Sequence, residues 1–358
     1  MARSIVPFGP QHPVLPEPIH LDLVLEDEKV VEAVPSIGYI HRGLEKLCEK
    51  RDYKTYCYVI ERICGICSYI HGMSYCESIE HVMNVEVPAR AKYLRTIWSE
   101  MSRVHSHLLW LGLLADGFGF EALFMQSWRV REKVLDMFEE STGGRVIFSV
   151  NTPGGVLKDM PKEMLEDFDR RFYEIEAEIR TVTETFLKDA SVISRLKGTG
   201  ILTKEKAIEL GAVGPMMRAS GIAIDNRKLG YAAYDDIDFD IITSNDCDGY
   251  GRCAVRIGEI YQSLNIIHQA IEKIPDGDIA VPVKGNPNGS YMMRVEQPRG
   301  EAFYYCKGNG TPYLERFRVR TPTFANIPSM LEILKGCNFA DVPLQVLTID
   351  PCVSCTER

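Results

Sequence analysis

PARAKYLRTIWSEMSRVHSHLL, residues 88–109, sets Leu94, Ile97, Trp98, Met101, Val104 and Leu108 at intervals of three and four. That spacing gathers them on one helical face, and Pro88 suits a first turn, so the stretch predicts a long, largely buried helix. Two further runs repeat the pattern: Leu165, Phe168, Phe172, Ile175, Ile179, Val182 and Phe186, then Val255, Ile260, Leu264, Ile267, Ile271 and Ile274. Three such helices imply a helical bundle.

Working outward, the periodicity changes. Ile19, Leu21, Leu23 and Leu25 alternate with mostly polar neighbours, and EDEK then leads into VVEAV, which predicts a hairpin of a small antiparallel sheet. The last quarter holds SYMMRVE, then EAFYYCK and YLERFRVR joined by GNGTP, before a short helical stretch around MLEILKG. The fold class expected is α+β, a central bundle of long helices flanked by small antiparallel sheets. No repeat, low-complexity tract or linker divides the 358 residues, so residues 1–358 read as one domain.

With 41 Lys plus Arg against 50 Asp plus Glu, the net charge of −9 argues against nucleic acid or anionic lipid as the main partner. The opening MARSIVPFGPQHP has no apolar core of an export signal, and the apolar run from Leu108 to Leu114 is too short to span a bilayer. Eleven cysteines, two pairs of them as Cys-x-x-Cys, read as metal or redox chemistry in a reducing compartment rather than a disulfide framework.

The pairs are Cys64 and Cys67 in ERICGICSYIH, and Cys352 and Cys355 in IDPCVSCTER. Four thiolates suit a structural zinc, an iron–sulfur cluster or a thiolate-bound redox metal. Compact zinc modules bring their ligands together within a few tens of residues, whereas these pairs lie at opposite ends of the chain. Arg62, His71, Asp350 and Pro351 keep company with them, and a structural zinc needs none of these. Cys48, Cys57, Cys76, Cys247, Cys253, Cys306 and Cys337 fit no iron–sulfur spacing and read as buried structural thiols.

RICGIC paired with DPCxxC resembles the signature of the large subunit of nickel–iron hydrogenases. FGPQHP, GYIHRGLEK, SHLLWLG, TGGR, GPMMRASGI, DNRK and DGYGRCAVR resemble the quinone-site-side 49 kDa subunit of respiratory complex I. The combination is similar to the energy-converting, membrane-associated (Ech-type, group 4) hydrogenases. Complex I relatives lack the four cysteines and carry a second histidine where this chain has Pro16 after His12.

The resemblance implies that Cys64 and Cys352 bind nickel terminally, and that Cys67 and Cys355 bridge it to an iron carrying CO and CN. It implies Cys352 as the proton-accepting thiolate and Arg299, after Pro298 in EQPRGE, as a charge over the iron side of the open position. The competing plain reading of Arg299 is one partner of a surface salt bridge. Glu17 in LPEPIHLDL matches the first proton acceptor beyond the terminal cysteine, against a plain reading as an exposed loop residue. His71 matches a donor to a bridging sulfur, against a core histidine. Glu45 resembles a magnesium ligand of many relatives, but Arg358 stands where those relatives have the companion histidine.

Electrons must leave through another chain. The resemblance therefore implies an iron–sulfur small subunit, a ferredoxin-type electron carrier and integral membrane ion-translocating subunits, with H2 as substrate and no nucleic acid. The expected location is peripheral, on the cytoplasmic face of the cell membrane within a multi-subunit complex. The competing expectation is a non-catalytic complex I-like scaffold or quinone-module subunit holding a structural zinc.

Overall fold

The computed structural model describes residues 3–358. The chain opens with strands β1 (Ser4–Phe8), β2 (His20–Glu26) and β3 (Lys29–Ser36) in one antiparallel sheet of that order. Asp27 and Glu28 both take positive φ, which gives the two-residue turn the twist that joins β2 to β3. Ile19, Leu21, Leu23 and Leu25 are buried, as their alternation requires.

Helix α1 (Tyr53–Ile60) is started by Asp52, whose carboxylate accepts from the amides of Lys54 and Thr55. Helices α2 (Ser68–Met83), α3 (Ala89–Gly117), α4 (Glu121–Thr142), α5 (Lys162–Lys188) and α6 (Gly249–Lys273) follow. The apolar stripe of α3 is wholly buried, from Leu94 through Trp98 to Leu108. It packs against α4 and α6, which α5 in turn covers, so α3 is the axis of the bundle. Both Cys-x-x-Cys pairs open helices: Cys67 immediately precedes α2, and Cys352 precedes α8 (Val353–Glu357).

Strands β4 (Asn288–Gln297), β5 (Gly300–Asn309) and β6 (Leu314–Arg320) form the second three-stranded sheet, which leads into helix α7 (Pro322–Leu334). The chain is thus mixed helix and sheet, with small antiparallel sheets flanking long helices. Gln297 pairs with Gly300, leaving Pro298 and Arg299 as a two-residue turn. Gly300 has φ +124°, and a Cβ there would lie 2.7 Å from the Cα of Gly214, so the turn is pressed against GPMMR without room for a side chain.

The core also holds an ionic cluster. The fully buried Arg218 donates from Nε and Nη2 to Glu259 at 2.9 and 2.6 Å and from Nη1 to Glu296 at 2.7 Å. Glu259 receives His107 at 3.0 Å, and beyond Glu296 lie the buried partners Asp225, Arg227, Glu100 and Arg103. Glu259 is held near 2: burial opposes ionisation, but Arg218 and His107 outweigh it. Removing one partner strands buried charge, so Arg218→Met should destabilise the fold by about 3–5 kcal/mol, read from the denaturant midpoint. A loss no larger than the ~1 kcal/mol of an exposed ion pair would contradict this role.

Candidate metal centre

The two cysteine pairs meet. Cys64 Sγ lies 3.3 Å from Cys352 Sγ, and Cys67 Sγ lies 3.4 Å from Cys355 Sγ. The sulfurs of Cys64, Cys67 and Cys355 all fall within 4.8 Å of one another, and all four residues are 1–2 % exposed. Backbone amides aim at the first sulfur of each pair: Ile66 and Cys67 at Cys64, Cys355 at Cys352.

The electrostatics are those of a site built for a cation. Hydrogen bonds from the sulfurs of Cys352, Cys355 and Cys64 push the Cys67 thiol down. Burial, with hydrogen bonding to the other sulfurs, pushes Cys355 up. At Cys352 the bond from Cys355 pulls down, yet the sulfurs of Cys64 and Cys67 and burial prevail and raise it. Four buried thiolates cannot coexist without a compensating positive charge, so the protein alone ionises them in part and a thiophilic metal would complete the set.

Arg299 supplies part of that charge. Its guanidinium is buried, so the surface salt bridge reading does not hold; it donates from Nε to the Asp350 carbonyl at 2.8 Å, from Nη2 to Asp350 Oδ1 at 2.7 Å and from Nη1 to Ser106 at 3.2 Å. Burial disfavours its charge, but Asp350 and the thiols of Cys352, Cys67 and Cys64 outweigh burial and hold it protonated. Three of its five N–H groups are committed, which leaves two for another group. Asp350 Oδ2 and Gln297 Oε1 are likewise buried without a partner among the described residues. Pro298 fixes the turn that presents Arg299.

His71 is fully buried, with Nε2 3.4 Å from Cys355 Sγ and Nδ1 2.8 Å from the Tyr304 hydroxyl. Because Gln297 Nε2 donates to that hydroxyl at 3.0 Å, the tyrosine proton points to Nδ1, and the imidazole N–H on Nε2 is directed at the sulfur. Glu17 is half-buried. Its carboxylate accepts the amides of Val353 and Ser354 and the Ser354 hydroxyl, directly after Cys352. Burial raises the pKa of Glu17 in spite of these bonds. Its plain reading as an exposed loop residue therefore fails.

Glu45 is not with them. Its oxygens accept from the Val319 amide at 2.9 Å, Arg358 Nε at 3.0 Å and Arg318 Nη1 at 3.0 Å, so the residues here do not fit a magnesium ion. Of the other cysteines, six are buried as expected and Cys247 is partly exposed. Asp350, Ser106, Gln297 and Tyr304 also line the centre, the last three unforeseen. Asp350 alone had a signal, its place directly before Pro351 and Cys352.

The model of the family described as respiratory-chain NADH dehydrogenase, 49 Kd subunit, matches residues 117–286 and 282–358, and that of nickel-dependent hydrogenase matches residues 42–115. The chain is 37 % identical to the membrane-bound hydrogenase subunit alpha of Pyrococcus furiosus, over 99 % of this chain and 87 % of that one. It is 36 % identical to the carbon monoxide-induced hydrogenase of Rhodospirillum rubrum over the full length of both. A chain of the membrane-bound sulfane sulfur reductase, an archaeal respiratory membrane complex, superposes with a TM-score of 0.94 at 29 % identity, covering 99 % of this chain and 98 % of that one. Among the described residues no helix is long and apolar enough to cross a membrane. The chain belongs to the family that joins the large subunits of nickel-dependent, membrane-bound hydrogenases to the 49 kDa subunit of respiratory-chain NADH dehydrogenase.

Proposed function

We propose that the chain is the catalytic subunit of an energy-converting hydrogenase, interconverting H2 with two protons and two electrons. The observation that carries this reading is the meeting of four buried thiols beside a buried guanidinium. A structural zinc would be satisfied by the sulfurs alone, and it gives no reason for Arg299 with uncommitted N–H groups or for a carboxylate at the start of α8. Fold likeness alone does not decide the chemistry, since the same fold occurs in a sulfane sulfur reductase complex.

On this reading the sulfurs of Cys64, Cys67, Cys352 and Cys355 would hold nickel and an iron with CO and CN ligands. When bound, that centre supplies the electrophile that polarises dihydrogen and takes its electrons. The chain's own residues handle the rest. Cys352 accepts the proton on its sulfur, and Glu17, its pKa raised by burial, passes it outward. Arg299 offers fixed positive charge and hydrogen bonds to anionic ligands in a dry site, with Asp350 holding its orientation. His71 donates to the Cys355 sulfur and would steady it as a metal ligand.

Electrons leave to an iron–sulfur small subunit and a ferredoxin-type carrier. Membrane subunits couple that flow to ion movement, with this chain peripheral on the cytoplasmic face of the membrane. The membrane-bound complexes named among the relatives support this placement.

Cys67→Ser or Cys355→Ser should abolish assembly, because a neutral, harder hydroxyl cannot replace a bridging thiolate; nickel measured in the purified variant should vanish. Full nickel content with wild-type hydrogen uptake would reassign the bridging ligands. Glu17→Gln keeps the shape and the bonds to Val353 and Ser354 but carries no proton, so nickel and iron should stay. Hydrogen turnover and deuterium gas–water exchange should fall by about a hundredfold or more. Undiminished exchange would route the proton elsewhere.

A further inference from the structure

The segment GYIHRGLE, residues 38–45, clasps both cysteine pairs. Arg42 donates to the carbonyls of Arg62 and Ile63, just before Cys64, at 2.7 and 2.8 Å. Glu357, at the end of α8, accepts the amides of Gly38 and Ile40 at 2.6 and 2.5 Å, and His41 Nδ1 meets its carbonyl. Beside them Glu45 receives Arg358 at Oε1 and Arg318 at Oε2, each at 3.0 Å. The Arg358 guanidinium also lies 5.4 Å from the centre of the Phe324 ring and donates to the Thr356 carbonyl at 2.8 Å.

A magnesium or calcium ion needs about six or more oxygen ligands at roughly 2.0–2.6 Å. Both oxygens of Glu45 and both of Glu357 are already taken by donors, and Glu45 and Glu357 are the carboxylates lining this cleft. Both guanidiniums bond Glu45, so its negative charge is already matched by cations and is not free for a dication. The Glu45 and Arg358 side chains are 15 % and 16 % exposed, dry enough for a pair stacked on an aromatic ring to hold its geometry.

We propose that Arg358, Glu45 and Arg318 form an ionic latch that takes the place of a divalent cation and fixes α8, with Cys352 and Cys355, against the 38–45 clasp and strand β6. The three residues come from three distant segments, so closing the latch joins the end of α8 to the sheet and to the clasp over Cys64 in one step. The latch serves whichever metal the four sulfurs take, so it stands or falls apart from the hydrogenase reading.

Metal analysis of the purified protein in its complex should find no stoichiometric magnesium, calcium or manganese. Its melting temperature should be unmoved by EDTA or by added magnesium. Arg358→Met should lower that temperature by about 2 °C or more and speed the loss of the sulfur-bound metal to a thiophilic chelator. Arg358→Lys, which keeps the charge without the fork, should recover part of both. One magnesium per chain, whose removal by EDTA lowers the melting temperature, would overturn the latch. So would an Arg358→Met protein that melts and holds its metal as the wild type does.

Discussion

Four thiols from opposite ends of the chain are forced into one dry space, and the rest of the structure follows from that constraint. Like charges packed this closely repel, and burial denies them water, so Cys352 and Cys355 are pushed up while bonds from its neighbours push Cys67 down. A metal relieves the conflict. Until it arrives, the ends of the chain must be held by other means: the clasp of residues 38–45, the Glu17 carboxylate across the start of α8, and Arg299 tied to Asp350. Each contact bridges segments far apart in sequence.

Arg299 shows how the core serves that centre. A guanidinium is useful there only if its direction is fixed, and the two-residue turn that carries it has little rigidity of its own. Rigidity comes from either side. Gly214 and Gly300 let two backbones touch, and Glu296, two residues before Pro298, is anchored to Arg218 within the buried ionic cluster. The desolvation of so many charges is tolerated because each has a partner of opposite sign at hydrogen-bonding distance.

The long helices were legible because their apolar residues recur at the helical period over six or seven positions, and the strands because theirs alternate. Helix α4 left a weaker trace. Its inward face includes Ser127, Arg131, Ser141 and Thr142, whose polar side chains blur the apolar stripe. Helix α2 is buried on nearly every side with His71, Ser74, Glu77 and Glu80 inward, so it too lacks a polar and an apolar face. At the site, the cysteines announced themselves by spacing and Arg299, Glu17 and His71 by motif. Tyr304, Gln297 and Ser106 could not be read, because nothing local marks a strand or helix residue whose partner lies hundreds of positions away. Glu45 is a different case: its motif resembles a metal ligand, Arg358 in place of the companion histidine already spoke against one, and the structure adds that Val319, Arg318 and Arg358 take its oxygens.

The central claim is that the four sulfurs hold nickel and an iron with diatomic ligands. The most direct measurement is elemental analysis of the purified complex combined with its infrared spectrum in the region of metal-bound CO and CN. The account predicts nickel on this chain, iron beyond that of the partner clusters, and sharp CO and CN bands that Arg299→Lys shifts without abolishing. Zinc in place of nickel, with no such bands, would contradict it and make the centre a structural tie.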